Sequence, residues 1–207
     1  MGDDVRSTLA LEVGDAESLA RVGAQVAVAG FFRDQRPLRG GAGLADWRLC
    51  GFVSRLLLAA RAQGEVGEAL LATTHGRLRA GRLLLVGLGP RTRFGPDEHR
   101  AAVAGAMHRL LDLGAASAAL DLPLPHPDAS VEQMAAGIVQ GACSVLDARS
   151  ARFLLRVVAP PGGASRLRGA LEHAATRHPR GATSLRLVRV PAAGAAPRSA
   201  PPRAPVA

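Results

Sequence analysis

The residues best placed to do chemistry in this 207-residue sequence lie between positions 33 and 57, where RDQRPLRGGAGLADWRLCGFVSRLL joins a strongly apolar run to a segment of helical period. Gly40, Gly41 and Gly43 let backbone N–H groups converge at a helix start. Such a terminus attracts an anion, because its first N–H groups lack intrahelical partners and sit at the positive end of the dipole. Arg36 and Arg39 could add forked donors to a phosphate or a carboxylate. Asp46, beside Trp47, is the acid nearest this loop. It could orient Arg39, touch a ligand, or simply open a helix. The glycines, equally, could do no more than make the turn. Hydrolysis with Asp46 as base finds no triad or metal to support it.

Other chemistry-bearing patterns fail on spacing. Gly87 and Gly89 in VGLGPRTRFG follow a strong strand, but Thr92 stands where a dinucleotide fingerprint needs its third glycine, and Pro90 interrupts the turn. A tight strand exit is the expectation there. His75, His99, His108, His126, His173 and His178 are scattered without an H-x-x-x-H or H-E-x-x-H pair, so they read as surface residues and no metal or other cofactor is expected. No G-x-S-x-G elbow exists, and Ser144 falls within a helical stretch. Cys50 and Cys143 lack C-x-x-C spacing and read as two buried thiols of a reducing cytoplasm.

All 26 basic residues are Arg. Without lysine there is no Schiff-base chemistry and no P-loop phosphate grip. Residues 1–133 carry 15 Arg against 15 carboxylates, whereas residues 134–207 carry 11 Arg against Asp147 and Glu172, so the formal net charge of +9 belongs to the last third. This asymmetry reads either as a binding or self-association face or as the codon bias of a GC-rich genome. Non-specific nucleic-acid binding ranks lowest, because 3% aromatic residues leave few stacking platforms.

The elements that must position these residues alternate between short β-rich runs and helical segments, the pattern of an α/β layer fold. Seven strands are predicted, at Thr8–Val13, Gln25–Phe32, Ala69–Thr74, Arg82–Leu88, Ser117–Leu122, Arg152–Val158 and Leu185–Val190. AQVAVAGFF is almost continuously apolar and should be central. The link between the third and fourth strands is too short for a helical crossover, so those two are antiparallel or not neighbours. Four helices are predicted: Leu44–Ala60, one opening at Pro96 and stopping at Gly114, one opened by the Ser130/Gln133 capping box, and Ser165–Ala175. Residues 1–190 read as one domain. Residues 191–207, rich in Pro and Ala, read as a disordered tail. The N-terminus does not read as a secretory signal and no window reaches the roughly 18 apolar residues of a membrane span, so a cytoplasmic protein is expected, with no membrane partner.

Residues 31–61 and 65–89 resemble the N-terminal domain of the leucyl aminopeptidase family, the M17 metallopeptidases. The resemblance rests on RPLRG (36–40), Asp46, SRLL (54–57), GEALL (67–71) and RLLLVGLG (82–89), and extends to about residue 147. It implies a macro-domain-like three-layer sandwich, a mixed and mostly parallel sheet with helices on both faces. It also implies that peptide hydrolysis is the work of a separate C-terminal domain with a two-metal centre, a lysine and an N-T-D-A-E-G-R segment. That segment and any Lys are missing from this sequence, so no catalytic residue carries over. A non-catalytic binding or interaction module is expected, with a full-length aminopeptidase or a second copy as partner. The alternative is a module for a phosphate-containing small ligand such as ADP-ribose, although the Asn-rich segment and the adenine-gripping Asp of macro domains are missing.

Overall fold

The computed structural model describes residues 7–14, 18–125, 128–159, 162–179 and 181–188. In chain order its elements are β1 (Ser7–Gly14), α1 (Ser18–Arg21), β2 (Val26–Phe31), α2 (Gly40–Arg48), α3 (Phe52–Leu58), β3 (Ala69–Thr73) and β4 (Arg82–Gly87). They continue with α4 (Pro96–Asp112), β5 (Ser117–Asp121), α5 (Val131–Leu146), β6 (Arg152–Val158), α6 (Ala164–Arg177) and β7 (Thr183–Leu187). One sheet takes the seven strands in the order β3-β4-β2-β5-β6-β1-β7. β3 and β4 are antiparallel and every other neighbouring pair is parallel. The exception follows from chain length, since residues 74–81 leave no room for a crossover helix. Thr74 closes that turn by donating its N–H to Gly81 O at 3.1 Å and its hydroxyl to Ala80 O at 2.6 Å.

β2 is buried along its whole length, and its alternation feeds two cores. Val26 and Val28 face one, under α4, α5 and α6; Ala27, Ala29 and Phe31 face the other, under α1, α2 and α3. Parallel crossovers are right-handed, so connections towards the β3 edge cover one face and those towards the β7 edge cover the opposite one. The second face is therefore only half covered. Over β6, β1 and β7 no described helix lies on it. The register sets Arg152, Thr8 and Ser184 in one cross-strand row and Leu154, Ala10 and Arg186 in the next. Beyond them Arg156 Nε meets Glu12 Oε2 at 2.7 Å, with side chains 22% and 14% exposed. This is the wet face that the alternation of residues 152–158 predicts.

Three expectations need correction. The helix predicted over Leu44–Ala60 is two helices, because the chain turns left-handed at Cys50 (φ 55°). There Cys50 N–H donates to Trp47 O and Gly51 N–H to Asp46 O at 2.8 Å, closing a Schellman cap. With the short α1 this makes six α-helices among the described residues rather than four. His99 is not a surface residue: it is fully buried between α4 and α5, with neither ring nitrogen hydrogen-bonded. Gly137 leaves the space, since a Cβ there would stand 2.8 Å from His99 Nδ1. Burial pushes the imidazole down to about 4. Cys143 is buried as expected, but Cys50 is exposed. The last strand lies a little earlier than the predicted Leu185–Val190, and residues 191–207 fall outside the described residues.

Candidate functional site

β2 ends at Phe31, and the loop that follows is tied down before α2 begins. Arg36 Nη1 donates to Phe32 O at 2.7 Å and to Gln35 O at 2.8 Å, and its Nη2 to Gln63 O at 3.4 Å. Asp34 Oδ1 accepts Arg91 N–H at 2.9 Å, which fastens the loop to the segment after β4. Arg36 thus spends its fork on the protein's own carbonyls. Arg39 is the N-cap of α2, exposed and extended, with no side-chain cap. Gly40 follows in the left-handed region (φ 56°) with open space where a side chain would be, and Gly43 lies too close to Leu38 O for a Cβ, at 2.5 Å.

Gly41 faces a group that the sequence reading did not single out. A Cβ there would lie 2.6 Å from Asp121 Oδ2, so the glycine admits the Asp121 carboxyl against the first turn of α2. Asp121 ends β5 beside Ala29 of β2. Strand alternation turns it to the same face as Ala119, towards α2. Burial pushes its carboxyl up to about 6, and the Gly41 N–H that it accepts acts in the opposite direction. An anion does stand at the glycine N-terminus, and the protein supplies it. The available sequence signal was an acid closing the apolar strand SAALD; only the pairing of β5 with β2 brings it to the loop.

Asp46 takes a different place from the one its neighbours in sequence suggest. Its carboxylate accepts Ser54 N–H at 3.0 Å and Ser54 Oγ–H at 2.5 Å, so it caps α3 across the break at Cys50 rather than orienting Arg39. Gly40, Gly41, Arg39 and Asp121 come together at the start of α2; Arg36 and Asp46 are engaged in holding the backbone around them. Among the described residues no group of three or more His, Cys, Asp or Glu could hold a metal ion. None of the described helices is long and apolar enough to cross a membrane.

The described arginines of the last third divide between the two faces. Arg152, Arg156 and Arg186 lie on the bare half-sheet, while Arg149, Arg166, Arg168 and Arg177 belong to the α4–α5–α6 layer. Arg149 pairs with Asp112 at 2.7 Å and Arg166 with Glu132 at 3.3 Å. Among the described residues these arginines do not form one continuous basic face.

Residues 26–152 match the model of the cytosol aminopeptidase family, N-terminal domain. A probable cytosol aminopeptidase of Pseudomonas fluorescens is 38% identical over 72 residues, which is 35% of this chain and 14% of that protein. Among solved structures, a mutant of tomato leucine aminopeptidase superposes with a TM-score of 0.58 at 16% identity, over 80% of this chain and 35% of the tomato chain. A Trypanosoma brucei macrodomain gives 0.58 at 14% identity over 83% and 68%, and an Oceanobacillus iheyensis macrodomain gives 0.55 at 16% over 79% and 90%. The fold is macro-like, and this chain spans about a third of the tomato enzyme's length.

Proposed function

Because this chain belongs to the cytosol aminopeptidase family through its N-terminal domain, we propose that it acts without catalysis, as an interaction module that docks on a full-length aminopeptidase or on a second copy of itself. The observation that carries this is the bare half of the sheet. Leu154 and Ala10 lie there between Arg152 and Arg186, with the Arg156–Glu12 pair beyond them, on strands that described helices cover on their other face only. A small apolar spot flanked by Arg152 and Arg186 suits a partner surface with carboxylates at its edge. In the relatives this domain is a minor part of a longer chain, which supports a partner drawn from the same family. The match covers no catalytic domain, and the described residues supply no metal cluster.

Sedimentation velocity tests this reading, on the chain alone and mixed with a full-length family aminopeptidase. A heavier species is expected, lost in Leu154→Asp. A monomer that leaves the peptidase boundary unchanged would sink the proposal. The macro-like fold and the free Arg39 keep a second reading in view, a phosphate-containing ligand at the start of α2. Asp121 stands against it, since its carboxylate already accepts the Gly41 N–H. Calorimetric titration with ADP-ribose decides: heat that vanishes in Gly41→Glu would support this second reading, and no heat at millimolar ligand ends it.

A further inference from the structure

Away from the glycine loop, an open cleft of about 630 Å³ lies between the α2–α3 break and β3, within the size range of small-molecule sites. It stays open because β3 is the last strand at that edge of the sheet. Phe52 and Leu71 give it an apolar wall, Cys50, Arg55, His75 and Arg77 line it, and no carboxylate does. Leu71 is 49% exposed there. The left-handed cap at Cys50 leaves its thiol exposed in the cleft. Arg77 Nη1 stands 2.8 Å from Cys50 Sγ and also reaches Arg48 O at 3.4 Å. Arg55 Nη1 donates to Cys50 O at 2.6 Å. The Arg77 guanidinium is therefore held against the sulfur and that of Arg55 against the backbone carbonyl of the same residue, and each has five N–H donors, so several remain for a ligand.

We propose that this cleft is a thiol–disulfide exchange site for a small disulfide that carries carboxylates. Arg55 and Arg77 grip the carboxylates, which brings one sulfur of the ligand to Cys50 Sγ. Cys50 gives its proton to solvent and its sulfur bonds to that ligand sulfur. The original S–S bond breaks, and its electron pair leaves on the displaced thiolate, which takes a proton from solvent. The small disulfide is the oxidant, and one free thiol is released for each mixed disulfide formed. Cys143 provides an internal contrast, because burial, with the Asp147 charge second, pushes its thiol up to about 12.

The test compares glutathione disulfide, which is anionic, with cystamine, which is cationic, on the full chain, followed by intact mass and peptide mapping. The expected result is modification confined to Cys50 and about tenfold faster with glutathione disulfide, the lower end of electrostatic enhancement in a charged cleft. Arg55→Ala and Arg77→Ala, each checked by its thermal melt, should erase that preference. Arg168→Ala, which removes the same charge elsewhere, should keep it. Equal rates for the two disulfides on the unaltered chain, modification at Cys143, or a preference that survives both cleft variants would overturn the proposal. The rate ratio on the unaltered chain needs no variant to fold.

Discussion

His99 and Asp121 set opposing pH dependences on the stability of this fold, and two substitutions should separate them. His99 sits at about 4 against an ordinary 6.5, so between those values the unfolded chain binds a proton that the folded chain refuses. Its stabilising contribution is complete above pH 6.5 and drains away as the pH falls through the window to about 4. At about 1.4 kcal/mol per pH unit the span amounts to about 3 kcal/mol. Asp121 sits at about 6 against an ordinary 3.8, so the folded chain keeps a proton that the unfolded chain has lost. Its contribution is complete below pH 3.8 and drains away as the pH rises through the window to about 6. Full burial would make this about 3 kcal/mol; Asp121 is half-buried, and water trims it to about 2 kcal/mol. Between pH 4 and 6 the two slopes largely cancel. Urea unfolding, extrapolated to water at half-unit steps from pH 4 to 7, exposes them. Asp121→Asn should leave the histidine slope, losing about 2 kcal/mol more than the unaltered chain on acidification from pH 6 to 4. His99→Leu should leave the carboxyl slope, with stability rising relative to the unaltered chain by about 3 kcal/mol over the descent from pH 6.5 to 4. Difference curves that stay flat with pH, whatever their vertical offset, would refute the assignment of these two groups as the buried titrating pair.

Three further outcomes follow from close contacts. Gly41→Ala puts a Cβ 2.6 Å from Asp121 Oδ2 and should cost about 1–3 kcal/mol in urea unfolding, with most of that recovered in Gly41→Ala/Asp121→Ala; additive effects would disprove the contact. Asp46→Ala removes the cap of α3 and should cost about 1 kcal/mol by the same assay, whereas Asp46→Asn, which can still accept Ser54 N–H, should cost less. Gly137→Ala should crowd His99 Nδ1 and cost about 1–3 kcal/mol; it should be better tolerated in a His99→Ala background, and an equal cost in both would show that the glycine does not face the imidazole.

What the sequence conveyed about this fold is what short-range pattern conveys. The unbroken apolarity of residues 26–32 placed β2 at the centre, the eight-residue link 74–81 excluded a parallel crossover between β3 and β4, which pair antiparallel, and Ser130 with Gln133 marked the start of α5, where the Ser130 hydroxyl accepts Gln133 N–H at 3.2 Å. The break at Cys50 was hidden because Leu49, Phe52, Val53 and Leu56 continue the helical stripe through it, and because a cysteine rather than a glycine takes the left-handed cap position. Asp46 could be read as the cap of α3 only by knowing that a second helix starts six residues beyond it. The burial of His99 depends on Gly137, and the place of Asp121 depends on β5 pairing with β2. Both are facts about distant segments, which periodicity does not report. The glycine loop was legible as a place that draws negative charge; that the charge belongs to the chain itself was not.

The position of β1 in the sheet has a consequence for biosynthesis. It leaves the ribosome before every other described strand, yet its two neighbours, β6 and β7, are encoded more than 130 residues later. A nascent chain thus carries Leu9, Leu11 and Val13, all core residues, without either strand neighbour until β6 and β7 have emerged. Chaperone occupancy of residues 7–14, and aggregation of products truncated before β6, are the liabilities this topology builds in.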